Sequence, residues 1–415
     1  MGTTGRKLGM ILLLTGAFTL IFLSGVASAQ SREPIKIGCL TAHSGQMADW
    51  GELERCGYAL GLEDYGGEVL GRPVTLIHAD TEMNPDVAGR RARRLVEVDG
   101  CKILIGGATT SETLAIASVA KEKKVLYLAV ESNGDQITST HASHYHFLIG
   151  PPFKMALRGI APYVAQHLGK KWYFVTADYT AGHAATQFAR EVLKTVGGKE
   201  IGELKVPLGT RDFSAQLLKI RNSGADVLVC SLWGFDSVAL LRQLAEFKIY
   251  DKMKVWYTST NYVDFYPLEP GQRKAYAGTE CHYKENAEMK AFSERFHKKF
   301  PKAAIPILDV DTYNAWLAIR ILFEGIKKAG TADDVEKMIC GIEGLTITDN
   351  KRSATTYVRP WDHQVITQMC FARCNPVSGS DFWELITCVP LKDYAPPQEE
   401  QKLDVSCNPN PKYAK

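Results

Sequence analysis

The sequence predicts an α/β protein of two lobes, each built on a parallel central sheet, joined by a hinge that the chain crosses three times. Three observations carry this. Short β-branched runs alternate with amphipathic helical stretches from Ile35 onward, the rhythm of βαβ units with helices on both faces of a sheet. The rhythm breaks once, at Gly150-Pro151-Pro152, and then restarts. Roughly 385 residues remain after a predicted leader, more than one ordinary core accommodates and suited to two units of about 150 to 200.

The first lobe, over 30–149, opens with the strand IKIGCL and continues with a helix near 51–65, the strand PVTLIHAD and a helix near 85–98. KILIGG, a helix near 111–122, VLYLAV and HYHFLIG complete it. Pro151 and Pro152 then end a strand and start a helix over 153–168, which predicts the first crossing near 149–152. The second lobe, over 150–277, repeats the pattern as WYFVTAD, a helix near 182–196, IGELKVP, a helix near 213–223, DVLVCSL, a helix near 236–247 and KVWYTST. A strand near 276–283 and helices at 288–299 and 309–329 predict a return to the first lobe over 278–346, with the second crossing near 277–281. The runs TTYVRP, VITQMCFARC and WELITCV read as strands crossing back near 346–356 into a second-lobe segment over 347–390. A polar, Pro-rich tail over 391–415 is expected to be extended.

Residues 1–29 carry a different message. Arg6 and Lys7 precede an apolar run from Leu8 to about Leu23 and the small residues Ala27-Ser28-Ala29, the pattern of a secretory signal cleaved after Ala29. The first Cys is Cys39, so no lipid anchor is expected and the mature chain should be free in the compartment it enters. Losing the leader takes the formal charge from +3 to +1, with Lys and Arg scattered singly, which argues against a nucleic-acid partner. The densest basic cluster, Arg90, Arg91, Arg93 and Arg94, falls in a helical pattern and reads as a solvated face. Ten Cys in an exported chain permit disulfides. Cys39, Cys101 and Cys230 sit in apolar strand-like runs and read as buried thiols, whereas Cys374 and Cys388 are expected to close the loop CNPVSGSDFWELITC.

In parallel α/β sheets ligands bind beyond the carboxyl ends of the strands, where helix N-termini aim free backbone N–H groups outward. The sharpest such place is Gly106-Gly107-Ala108-Thr109-Thr110-Ser111-Glu112, directly after KILI. Thr109 and Glu112 fit a capping box, which leaves the amides and hydroxyls of Thr110 and Ser111 as a cradle for a carboxylate. Parallel positions follow the other strands: Ser44 to Gly51, Glu131-Ser132-Asn133-Gly134, Asp178-Tyr179-Thr180-Ala181-Gly182 and Trp233-Gly234-Phe235-Asp236. Aromatic residues and small hydroxyls at these ends suit a small molecule with one polar and one flat or apolar end.

The order of segments, the string S-G-x-x-A-x-x-G at Ser44 to Gly51, IGGATTSET, and D-Y-x-x-G at Asp178 to Gly182 resemble the periplasmic solute-binding proteins of the branched-chain amino acid (leucine-binding-like) type that serve ABC importers. The resemblance covers about Ile35 to Trp361. It implies two hinged Rossmann-like lobes, the type I architecture, closing over a small carboxylate ligand. With the signal sequence it leads us to expect a periplasmic location, a monomer and a membrane permease as partner. Residue by residue, it implies that Thr110, Ser111, Ser132 and Asn133 hold the carboxylate while Trp50 and Trp233 supply aromatic contacts from the two lobes. Tyr179 and Thr260, at neighbouring strand ends, complete the expected ligand-binding set.

One departure bears on the ligand. Amino-acid binders of this type place an acid after the strand matching Val255 to Tyr257, to pair with the ammonium. Here that loop reads Thr258-Ser259-Thr260-Asn261. A buried ammonium without a countercharge is costly, so an aromatic acid or amide-like carboxylate is expected. A branched-chain amino acid is the alternative, with Glu131, Asp178 or Asp236 as the substitute acid. No G-x-S-x-G, Walker, G-x-G-x-x-G or H-E-x-x-H string occurs, so no catalytic residue or cofactor is expected. His141, His144 and His146 read as a polar loop entering a strand, not as metal ligands. An exported hydrolase and a ligand-sensing receptor domain are the competing classes.

Overall fold

The computed structural model describes residues 33–397 together with Leu403 and Cys407; the expected leader and most of the expected tail lie outside the described residues. The first lobe is built from β1 (Ile35–Thr41), α1 (Ala48–Asp64), β2 (Glu68–Val69), β3 (Arg72–Asp80), α2 (Pro85–Glu97), β4 (Ile103–Gly106), α3 (Thr110–Lys123), β5 (Leu126–Ala129) and β6 (His146–Leu148). Its sheet runs β2-β3-β1-β4-β5-β6, parallel throughout except for the β2–β3 hairpin. β4 and β5 are buried at every position, as strands covered by helices on both faces must be.

The second lobe follows through α4 (Phe153–His167), β7 (Lys171–Ala177), α5 (Thr180–Thr195), β8 (Lys199–Val206), α6 (Ser214–Arg221), β9 (Val227–Ser231), α7 (Gly234–Glu246), β10 (Lys254–Tyr257) and β11 (Tyr276–Thr279). The chain then forms α8 (Ala287–Lys299), α9 (Val310–Ala329) and α10 (Val335–Ile342), followed by β12 (Thr346–Ile347), β13 (Thr356–Val358), β14 (Val365–Ile366), β15 (Gln368–Cys374) and β16 (Trp383–Pro390). The second sheet runs β16-β15-β11-β10-β9-β7-β8, with β15 and β16 antiparallel at one edge. The expected two-lobed architecture with parallel central sheets is therefore present.

The hairpins near the C-terminus differ in detail from expectation. The segment 346–366 does not enter the second sheet; it forms a separate three-stranded sheet, bridged to the first lobe through Leu148 and Gln364. The chain joins the second sheet only at Gln368. Period-2 alternation marks a strand but does not say which sheet it joins.

The cysteines correct another expectation. Cys388 pairs with Cys370, not with Cys374, and Cys340 pairs with Cys407. Register decides this: Cys370 stands directly opposite Cys388 across β15 and β16, while Cys374 stands opposite Trp383 and remains a buried thiol. Cys39, Cys101 and Cys230 are buried thiols as expected.

α9 returns to the first lobe and packs along α1, with Thr312 Oγ1 donating to the carbonyl of Leu53 at 3.0 Å and Trp316 Nε1 to Asp64 at 2.7 Å. Close approach depends on two glycines of α1. A Cβ at Gly57 would sit 2.2 Å from the Thr312 carbonyl oxygen, and one at Gly61 would sit 2.7 Å from Ile319 Cβ. Gly57→Ala should therefore force the helices apart and cost about 1 to 3 kcal/mol, the usual range for overpacking. Urea denaturation measures it, and an unchanged midpoint would refute this contact. Peptide mapping without reduction should recover the 340–407 and 370–388 links, with Cys374 alkylated only in denaturant.

Candidate functional site

Residues that follow the strands of the two sheets face one another across a narrow cleft. The first lobe contributes Met47 and Trp50 beyond β1, Thr109 and Thr110 beyond β4, and Glu131, Ser132 and Asn133 beyond β5. The second contributes Phe153 from the start of α4, Tyr179 beyond β7, Trp233 beyond β9, and Ser259 and Asn261 beyond β10. Glu280, just past β11, and Val310, at the start of α9, complete the lining.

Local sequence explains the first-lobe wall. Gly106 and Gly107 have φ of +115° and +94°, and a Cβ at Gly106 would lie 2.1 Å from the Leu40 carbonyl oxygen, so only glycine brings the chain off β4 into this turn. The capping box forms as read from the sequence. Glu112 N donates to Thr109 Oγ1 at 3.3 Å and Thr109 N to Glu112 Oε2 at 3.0 Å, leaving Thr110 free of capping duty. Ser132 Oγ donates to Thr110 Oγ1 at 3.4 Å, so two hydroxyls from adjacent strand ends meet inside the cleft.

Of the eight expected residues, Trp50, Thr110, Ser132, Asn133, Tyr179 and Trp233 lie together in the lining. Ser111 and Thr260 do not. Ser111 is one helical step, about 100°, round from Thr110 and is exposed to solvent. Thr260 is buried, its N–H donating to the Gly278 carbonyl, and its neighbours Ser259 and Asn261 face the cleft instead. Trp233 and Tyr179 occupy the N-cap positions of α7 and α5, which sets both rings at the cleft wall. Trp233 packs with Phe153 and Tyr179 at centroid distances of 5.8 and 6.4 Å. Trp50 reaches across from α1, donating Nε1 to Asp264 Oδ1 at 3.3 Å. The cleft encloses about 40 Å³, little more than a single water's share, so the lobes are drawn together.

The floor is acidic, which the strand-end reading of the second lobe missed. The loop Thr258 to Asn261 indeed holds no acid, but carboxyls arrive from β5, β11 and α9. Glu280 accepts from Asn133 Nδ2 at 2.6 Å and from Asn314 Nδ2 at 2.7 Å. Asp311 accepts from Asn261 Nδ2 at 2.6 Å and is hydrogen-bonded to Glu131. Two carboxyls in contact hold a proton between them, since both cannot ionise at that separation. Burial, reinforced by the charges of Glu280 and Glu54, holds Glu131 well above the usual carboxylate range, and burial then Glu131 does the same for Asp311. Among the described residues no Lys, Arg or His lines the cleft. Of the three substitute acids read from sequence, only Glu131 is here. Asp178 pairs with His183 at the surface, and Asp236 accepts from Gly209 N. Glu280 follows a strand end and so was findable by the same rule; Asp311 looks like an ordinary first-turn acid, and its role appears only once α9 is docked.

Two α/β lobes meeting at their strand ends over a buried polar and aromatic cleft define a binding protein of the hinged, ligand-enclosing class. Residues 34–381 match the model of the periplasmic binding protein family, and the chain belongs to that family. It is 27% identical over 249 residues to Leu/Ile/Val-binding protein homolog 8 of Brucella suis; that match covers 56% of this chain and 60% of the relative's length. In fold it is similar to a periplasmic binding protein from Burkholderia mallei, with a TM-score of 0.80, 24% identity, and coverage of 89% of this chain and 98% of that one. A solute-binding protein of an ABC transporter from Rhodopseudomonas palustris, in complex with 3,4-dihydroxybenzoic acid, is similar with a TM-score of 0.78 and 19% identity, covering 86% and 98% of the two chains. These similar proteins are binding proteins, not enzymes. No helix among the described residues is long and apolar enough to cross a membrane.

The buried acids give stability a definite pH dependence. Burial pushes Glu280, Asp264 and Asp135 each up to about 7. A carboxyl that binds its proton more tightly folded than unfolded contributes fully below its unfolded value, near 4, and loses that contribution as pH rises through its folded value. The melting temperature of ligand-free protein should therefore fall between pH 5 and 8. Differential scanning calorimetry across that window tests this; a rise would show the carboxyls to be ionised in the fold.

Proposed function

We propose that the chain is the periplasmic substrate-binding component of an ABC-type importer, closing as a monomer over a small carboxylate with an aromatic or amide-like body and handing it to a membrane permease. The division of the cleft carries this reading. Thr110 and Ser132 present hydroxyls beside the N-terminus of α3, a cradle for a carboxylate, while Trp50, Phe153, Tyr179 and Trp233 offer ring faces from both lobes. With its proton retained, Glu131 can donate toward a ligand oxygen instead of repelling it. The present cleft volume is too small for a ring-bearing acid, so capture requires the lobes to rotate apart about the crossings that join them. Benzoates occupy several proteins of this fold, but the reading for this chain rests on its own rings and hydroxyls.

A second reading, a branched-chain amino acid, is favoured by the same floor: a ligand ammonium could replace the proton shared by Glu131 and Asp311. The two readings differ in sign with pH. Affinity for a carboxylate without an ammonium should fall as pH rises through about 7, where Glu280 ionises, whereas affinity for an amino acid should rise.

A thermal-shift screen tests the proposal, because a ligand that binds only the folded state raises the melting temperature by mass action. Benzoate-like and phenylpropanoid acids are expected to outrank leucine, isoleucine and valine, and Trp50→Ala to abolish the shift. Thr110→Val should weaken binding by about 1.5 to 3 kcal/mol, the range for a hydrogen bond to a charged group. Small-angle scattering should show compaction on ligand addition. Leucine giving the largest shift, with affinity rising with pH, would establish the second reading in its place.

A further inference from the structure

We propose that His144, Glu343 and His363 form a binding site for one divalent transition-metal ion, zinc foremost, outside the lining of the cleft. One ring nitrogen of His144, one of His363 and a Glu343 carboxylate oxygen all lie within 4.8 Å of one another. Around a tetrahedral zinc with bonds near 2.0 to 2.1 Å, ligand atoms stand about 3.4 Å apart, so small side-chain adjustments suffice. Two imidazoles and one carboxylate are a donor set suited to this metal.

The hydrogen bonds around the two rings support this independently. His363 Nδ1 lies 3.0 Å from the carbonyl oxygen of His146, which can only accept, so that nitrogen carries the proton and the lone pair of the neutral ring is on Nε2. His144 Nε2 lies 2.6 Å from Glu336 Oε2, which likewise places the lone pair of the neutral ring on Nδ1. Each ring thus donates outward to a carbonyl or carboxylate and turns its bare nitrogen inward, the arrangement that fixes metal-ligating histidines. His144 Nδ1 is buried without a hydrogen-bond partner among the described residues, and His363 Nε2 faces Glu343 Oε1 at 2.9 Å, acceptor against acceptor. A cation at that point would give His144 Nδ1 a partner and separate the two facing acceptors.

The rest of the site is rigid. His363 is fully buried, stacked on Phe147 at 3.9 Å between centroids, and its φ of +56° is one that residues other than glycine rarely adopt. Glu343 Oε2 accepts from the backbone N–H of Cys407, which is disulfide-bonded to Cys340 on α10. The side chain of His144 is 13% exposed, giving an ion a route in and a water a fourth position. The ion would join the loop before β6 to the end of α10 and the turn between β13 and β14, which lie in a distant part of the sequence.

The test uses the full, tag-free chain stripped with EDTA. Titration with Zn²⁺ in a calorimeter should give one equivalent per chain, Co²⁺ should give a visible absorption band, and Zn²⁺ should raise the melting temperature. His144→Ala, which alters a half-exposed loop and should fold, is expected to weaken Zn²⁺ binding by about 100-fold or more. Glu336→Gln, which replaces the outward carboxylate partner of His144 with a neutral amide and so lowers the basicity of the ring, should weaken it by about 10-fold. His141→Ala, in the same loop but outside the cluster, should leave it unchanged, and circular dichroism confirms that each variant is folded. Absence of stoichiometric binding, or binding that His144→Ala leaves intact, would overturn the proposal and leave His363 and Glu343 as a plain ion pair.

Discussion

Asp309 accepts three backbone hydrogen bonds: from Val310 at 2.7 Å, which caps α9, and from Tyr262 and Val263 at 3.0 Å each, which belong to the loop after β10. One buried carboxylate therefore joins the long helix that returns to the first lobe to a loop that leaves the second sheet. Much of the cleft depends on that junction. It places Asn261 against Asp311 and sets Asp264 where both Trp50 and the Gly234 N–H can reach it. A buried N–H without a partner costs about as much as a lost hydrogen bond, so the loop has little freedom to sit elsewhere.

The cleft combines demands that pull in different directions. Its rings favour an apolar or flat body, its hydroxyls a carboxylate, and its floor a proton donor or a cation. Pairing the acids is what makes them tolerable there. Glu280 is held by two asparagine amides, and Glu131 with Asp311 keeps a proton between two groups that could not both be charged. A ligand entering this floor changes the protonation of its neighbours, and the charge on the ligand decides in which direction.

At the far end of the chain, covalent and polar ties do what a continuous core does elsewhere. The Cys340–Cys407 bridge closes 67 residues of chain and carries a backbone N–H to Glu343, whose other oxygen meets His363. The Cys370–Cys388 bridge joins the two antiparallel edge strands at facing positions. Segments with few residues of regular structure are thereby tied to α10 and to the sheet edge.

The alternation of short apolar strands with amphipathic helices was enough to determine two parallel sheets, because burial on both faces of a strand and on one face of a helix writes itself into local residue order. Local chemistry likewise settled the turn at Gly106 and Gly107 and the Thr109–Glu112 capping box, while the family resemblance pointed to Trp50, Thr110, Ser132 and Trp233, which the structure brings into one cleft lining. Tertiary structure alone decided the rest. Whether Ser259 or Thr260 faces the cleft depends on how the loop is pinned by Asp309; which cysteine meets Cys388 depends on strand register. That Asp311 reaches a floor where the second-lobe loop supplies no acid depends on the chain's return across the hinge. These are contacts between residues distant in sequence, and pairing across such distances leaves no periodic trace in a single chain.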